Sequence, residues 1–159
     1  MGCSQQKSID LRQYLPRQTP KTPFQYIKKT IEIFVKKFAR SAVKDSEYQL
    51  ELAGWYFDNR RFATGYIILA EAIITYMCEL KGRRHTVKNN RDEMKNLLLT
   101  EEENKNTQLA HLYSTINPIR NSIAHALLED KYDVNDAIFY AKNYYQQAKR
   151  IFSTGTLKE

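Results

Sequence analysis

The sequence predicts an all-α protein, an up-down bundle of about six or seven helices. Three observations carry this reading. The 159 residues include only five glycines and four prolines, and Pro16, Pro20 and Pro23 all stand near the N-terminal end, so that Pro118 is the one helix breaker beyond them. A β-sandwich or barrel needs turn chemistry every eight to twelve positions, which this chain lacks. Apolar residues recur at helical spacing, with no strand-like alternation and no internal repeat. Hydrophobic residues at 42% and charged residues at 27% supply a core and exclude wholesale disorder.

Residues 1–21 are polar and read as a flexible tail or linker. A basic amphipathic lead-in helix is predicted over 22–45. Thr22, Pro23 and Gln25 start it, Phe24, Ile27, Ile31, Phe34, Val35 and Phe38 form its stripe, and Lys28, Lys29, Lys36, Lys37 and Arg40 lie off that stripe. The main helical domain is predicted over 46–153, with a tail at 154–159. Ser46-Glu47-Tyr48-Gln49 reads as a capping box opening a helix with Leu50, Ala53, Trp55, Tyr56 and Phe57. The stretch Arg61–Leu80 is apolar nearly all round, as expected of a central helix, and Gly82 is positioned to end it. A basic loop follows at 81–91, then a short helix near 91–99. Thr100 with Glu101, Glu102 and Glu103 reads as the cap and acidic first turn of a helix running to about Ser114. Asn117-Pro118 reads as the start of another helix, and Asp133 as the cap of the last one. That last helix carries Val134, Ala137, Ile138, Tyr140, Ala141, Tyr144, Tyr145, Ala148 and Ile151.

Lys plus Arg is 25 against 18 Asp plus Glu, a formal net charge of +7. Such a balance fits a polyanionic partner, nucleic acid above all, and fits equally a protein that is simply lysine-rich. Two cysteines, Cys3 and Cys78, make no disulfide framework and have no metal spacing, which points to a reducing, cytoplasmic setting. No apolar stretch is read as membrane-spanning and no secretory signal is seen, so no membrane partner is expected. Met1-Gly2-Cys3-Ser4 has the start of a myristoylation pattern, but Gln6 stands where Ser or Thr is needed.

The residues that could carry chemistry are Ile119-Arg120-Asn121-Ser122-Ile123-Ala124-His125-Ala126. At about 100° per residue, Ile119, Ile123, Ala126 and Leu127 share a core face. Asn121 and His125 are neighbours on roughly the opposite face, and Arg120 lies between the two. A helix start at Asn117 would offer open N–H groups to an anion. Arg120 can grip a phosphate with two parallel bonds, and the imidazole of His125 can move protons near neutral pH. This describes a phosphodiester site without metal or cofactor; His85 and His111 are not read as metal ligands. Leu128 and Ala124 lie beside Asn121 and His125, where a solvated face would be more polar. A second copy of the chain across a two-fold axis would cover them and bring two Arg/His sets together.

Glu71 is the only charged residue between Arg61 and Glu79. A carboxylate inside an apolar helix needs a partner, and Arg120 is the candidate; a Glu that reaches the surface is the alternative. Arg83, Arg84 and Lys88 are a weaker candidate RNA track, or a solvated turn. Tyr140, Tyr144 and Tyr145 could stack on bases, but aromatics at helical spacing more commonly belong to a core.

At Arg120-Asn121-Ser122-Ile123-Ala124-His125 the sequence resembles the HEPN superfamily, whose nucleases carry Arg, a polar residue, then His late in an all-α bundle. Leu52-Ala53-Gly54-Trp55-Tyr56-Phe57 and Ala63-Thr64-Gly65-Tyr66-Ile67-Ile68-Leu69-Ala70-Glu71-Ala72-Ile73 look like the HEPN part of CRISPR-associated type III ancillary ribonucleases. The resemblance covers roughly residues 46–150. It implies metal-independent cleavage of single-stranded RNA leaving a 2′,3′-cyclic phosphate, at a composite site in a homodimer. Arg120 would stabilise phosphate charge, His125 transfer protons, and Asn121 position the substrate or His125. Those ribonucleases also carry an N-terminal Rossmann-like sensor of cyclic oligoadenylate, and no βαβ pattern is seen here. The chain is therefore read as an excised C-terminal domain, or as a stand-alone relative under another regulatory partner. The alternative function is a non-catalytic HEPN-like module that binds RNA or protein, or the toxin of a toxin–antitoxin pair. The toxin branch often has Tyr two residues after the His, where this sequence has Leu127.

Overall fold

The computed structural model describes residues 28, 29, 31–33, 35, 36, 44–103, 105, 107–124 and 133–155. The chain divides into two compact units, Met1–Val43 and Lys44–Glu159. In the first, the described residues are helical, with Val35 buried and Lys28, Lys29 and Lys36 exposed. Lys28 and Glu32 pair at 3.9 Å across one turn. The expected start at Thr22 and the apolar residues Phe24, Ile27, Phe34 and Phe38 lie outside the described residues, as do the polar tail and Cys3.

The second unit is an all-α bundle: α1 (Asp45–Asp58), α2 (Phe62–Leu80), α3 (Lys88–Glu103), α4 (Gln108–Ala124) and α5 (Val134–Thr154), with no strand among the described residues. Helix α2 is the centre and packs against all four others. Tyr66, Leu69, Ala72, Ile73, Met77 and Cys78 are fully buried along it. Burying each large side chain contributes about 1.5–3 kcal/mol, so α2 holds the bundle together. By length and composition alone this helix could cross a membrane, contrary to the sequence reading; yet 61% of its apolar window is buried inside the protein, which marks it as a core helix. Tyr66 and Tyr76 secure α5 to it, donating to the Ala137 carbonyl at 2.5 Å and the Ile151 carbonyl at 3.3 Å. Gly65 lets α1 approach: a Cβ there would stand 2.4 Å from the buried Phe57 ring.

Helix ends decide three corrections. First, Ser46 is not the cap of α1. The helix starts one residue earlier, behind Lys44, which gives no side-chain cap. Ser46 sits buried in the first turn, and Glu79 of α2 does the capping, accepting from the Ser46 backbone N–H at 3.1 Å and its hydroxyl at 2.5 Å. Second, Thr100 starts nothing. Its hydroxyl bonds back to the Asn96 carbonyl at 3.0 Å, which a helix interior accommodates, and α3 continues to Glu103. The cap of α4 is Thr107, whose Oγ1 accepts from the Ala110 N–H at 3.1 Å and donates to Glu101 at 2.9 Å. Third, Asn117-Pro118 opens no helix: Pro118 lies inside α4. Asn117 spends its side-chain oxygen on the Tyr113 hydroxyl at 3.3 Å. An internal proline costs about 3 kcal/mol. The buried row Leu109, Leu112, Tyr113, Ile116 and Ile119 on both sides of it offsets that cost and keeps the helix whole. Along α5, Val134, Ile138 and Tyr140 are exposed, together with Phe139, and the inward stripe is Ala137, Ala141, Tyr144, Tyr145, Ala148, Ile151 and Phe152.

Two ends follow expectation. Asp133 caps α5, accepting from the Asn135 N–H at 2.7 Å. Gly82, at φ +62°, closes α2: its N–H reaches the Glu79 carbonyl at 3.2 Å while the Arg83 N–H reaches the Cys78 carbonyl at 2.8 Å. That is the paired-bond stop that a left-handed residue permits. Arg60 does the same after α1 at φ 57°, a conformation that a non-glycine residue adopts at some cost.

Candidate functional site

Three helices bring charge together on one side of α2. Glu71 projects from its middle, where its side chain keeps 34% of its surface exposed rather than being buried outright. Arg120 of α4 reaches it, Nη2 to Oε1 at 3.4 Å, and donates through Nη1 to the Asn121 side-chain oxygen at 3.1 Å. The sequence-predicted set Glu71, Arg120 and Asn121 is thus assembled in the structure. His125, and with it Ala126, Leu127 and Leu128, lies outside the described residues. The chain leads to it directly from Ala124, the last described residue of α4.

The sequence reading missed Arg91. Position 91 falls at the end of the expected basic loop, but Arg91 is in the first turn of α3 and makes an ion pair with Glu71 Oε2. Its other arm donates to the buried hydroxyl of Thr75 at 3.3 Å and to the His85 carbonyl at 3.4 Å. A cation near a helix N-terminus opposes the helix dipole, so the carboxylate and the two neutral acceptors are what hold it there. The available signal was Thr75, a hydroxyl four residues after Glu71 on the same face of the central helix. A buried hydroxyl and a carboxylate one turn apart invite one forked donor.

Tyr113 of α4 lies beneath this cluster. Burial pushes its phenol up to about 12, with Arg120 and Arg91 pulling the other way and Glu71 adding to the rise. Cys78 is buried and its thiol is raised by that burial, so it is no activated nucleophile.

Since α4 begins at Gln108, no helix N-terminus stands at Asn117, and the open N–H groups expected there are absent from the described residues. Positive charge near Asn121 sits on the guanidinium groups instead. Arg83, Arg84 and Lys88 are exposed between α2 and the start of α3, and Arg83 pairs with Glu93 at 3.8 Å. His85 pairs with Asp45 at 2.8 Å and His111 with Glu102 at 3.1 Å, one carboxylate each. No group of three metal-ligating side chains occurs among the described residues. Tyr144 and Tyr145 pack against the core, whereas Tyr140 is exposed and edge-on to Phe139 at 5.0 Å between centroids.

The chain is 35% identical over 95 residues to the CRISPR-associated protein MJ1674 of Methanocaldococcus jannaschii, a match covering 56% of this chain and 15% of that protein. The chain is therefore similar to a CRISPR-associated protein, of which it spans a small part. No family model and no solved structure matches it.

Proposed function

We propose that this protein is an HEPN-type endoribonuclease that cuts single-stranded RNA with Arg120 and His125, without a metal ion, in CRISPR-type defence. The observation that carries the reading is the Glu71–Arg120–Asn121 contact, which holds a guanidinium five residues before a histidine in the chain. The similarity to a CRISPR-associated protein supports the setting. RNA holds its own nucleophile, so the protein need supply only proton transfer and charge stabilisation. A base takes the 2′-hydroxyl proton, the oxygen attacks the adjacent phosphorus, and the bond to the 5′-oxygen breaks as an acid protonates it. The products are a 2′,3′-cyclic phosphate and a 5′-hydroxyl. Arg120 stabilises the charge on the pentacoordinate phosphate, and Asn121 holds Arg120 in place. One histidine per chain suffices if a homodimer joins two sites, giving a base and an acid.

The test is cleavage of single-stranded RNA in the presence of EDTA. Activity is expected to persist, and Arg120→Ala and His125→Ala are each expected to lower it by ~10²–10⁴-fold while the fold is retained. Loss of cutting in EDTA with recovery in Mg²⁺ overturns the mechanism. A strictly monomeric protein that still cuts overturns the composite site. A second reading, a non-catalytic binding module, is favoured by the exposed apolar run Val134, Ile138, Phe139 and Tyr140 on α5, a surface suited to a partner. Tight RNA binding with no cleavage under any condition would select it.

A further inference from the structure

We infer that Arg91 is a positioning residue that neutralises Glu71 so that Arg120 is free to leave that carboxylate and take a phosphate of the RNA; this rests on the ribonuclease reading above. The two arginines hold Glu71 in unlike ways. Arg91 has three anchors: Glu71 Oε2, the Thr75 hydroxyl at 3.3 Å and the His85 carbonyl at 3.4 Å. Arg120 meets Glu71 at 3.4 Å, long for a charge-assisted bond, and among the described residues it bonds otherwise to its own neighbour Asn121 at 3.1 Å. Arg91 is also the less exposed of the two, 23% against 30%. The firmly held guanidinium stays and the loosely held one can move.

The charge count makes the movement useful. Two guanidinium groups and one carboxylate leave a formal surplus of one positive charge, carried on the side of Arg120. Without Arg91 the carboxylate and Arg120 would cancel, and a phosphate would have to compete with Glu71 for its only cation. Arg91 thus sets the affinity of a site it does not itself need to touch.

The experiment measures binding of a single-stranded RNA blocked with 2′-O-methyl groups, across a salt series, together with kcat and KM on the cleavable RNA. Wild type is compared with Arg91→Gln, Glu71→Gln and the Arg91→Gln/Glu71→Gln double variant. Arg91→Gln is expected to weaken binding and raise KM by about five- to tenfold. Glu71→Gln is expected to tighten binding several-fold, because Arg120 then has no carboxylate to leave. The double variant restores the surplus charge and is expected to bind within about twofold of wild type. It lacks the same tertiary bonds as Arg91→Gln, so a role confined to folding would leave it as weak as that single variant, and that result overturns the inference. Arg91→Gln binding as wild type overturns it too, while the ribonuclease reading stands if Arg120→Ala is still inactive. If Arg91→Gln does not fold, Glu71→Gln alone decides: unchanged or weaker binding overturns the inference. A wild-type protein that neither binds nor cuts the RNA overturns both.

Discussion

Helix α2 carries two carboxylates eight residues apart, and they do opposite work. Glu79, at its C-terminal end, is met by neutral donors: the backbone N–H and hydroxyl of Ser46, which it caps. Glu71, at its middle, is met by two guanidinium groups from two other helices. The nearby tyrosines register the difference. Tyr76 is raised by burial and then by Glu79 and Glu47, with no cation opposing. Tyr113 is raised by burial, but Arg120 and Arg91 pull against it. A carboxylate satisfied by fixed neutral donors joins two helices. A carboxylate oversupplied with cations leaves positive charge for an anion to meet.

The sharpest way to break this comparison is to remove each carboxylate in turn. Glu79→Ala leaves the Ser46 donors unanswered at a buried helix start, and is expected to cost about 1.5–3 kcal/mol, read as a lowered midpoint in denaturant, with RNA affinity unchanged. Glu71→Ala is expected to cost at most about 1 kcal/mol, because a third of its side chain is in solvent, while changing RNA turnover. Equal stability losses would erase the distinction. Gly65→Ala should fall on the Glu79 side: its Cβ would meet the Phe57 ring at 2.4 Å, forcing α1 away from α2. A loss of about 1–3 kcal/mol is expected in thermal unfolding, with unaltered RNA affinity per folded molecule.

The tyrosines give a pH test. A phenol whose value is raised in the folded protein stabilises it fully below the unfolded value near 10; the benefit is lost as pH climbs through the folded value. For Tyr113 the window runs from its ordinary 10 to about 12, and on the order of 2–3 kcal/mol is at stake. Alkaline unfolding is expected to be blunted in Tyr113→Phe, and Arg91→Gln should move the titration of the Tyr113 phenol itself upward by removing a charge that favours the phenolate. No difference between wild type and Tyr113→Phe would contradict this account. The smallest effect is expected far from both carboxylates: Arg60→Gly, at φ 57°, should stabilise by up to about 1 kcal/mol and leave activity alone.

Periodicity and composition alone determined the all-α fold, the central place of α2, its stop at Gly82 and the cap at Asp133. Each depends on residues within a turn or two of one another, where sequence distance and spatial distance agree. The pairing of Glu71 with Arg120 was also legible, because one charge in a long apolar helix demands a counterpart. The rest was settled between helices. Ser46 looked like a cap until Glu79, 33 residues on, took the work, and Asn117-Pro118 looked like a start until buried neighbours on both sides carried α4 through it. Arg91 looked like one more loop cation until packing set it against Glu71 and Thr75. A short-range signal specifies what a residue can bond, whereas tertiary packing decides which of its possible partners arrives, because a donor or acceptor cut off from water takes whatever partner packing sets beside it.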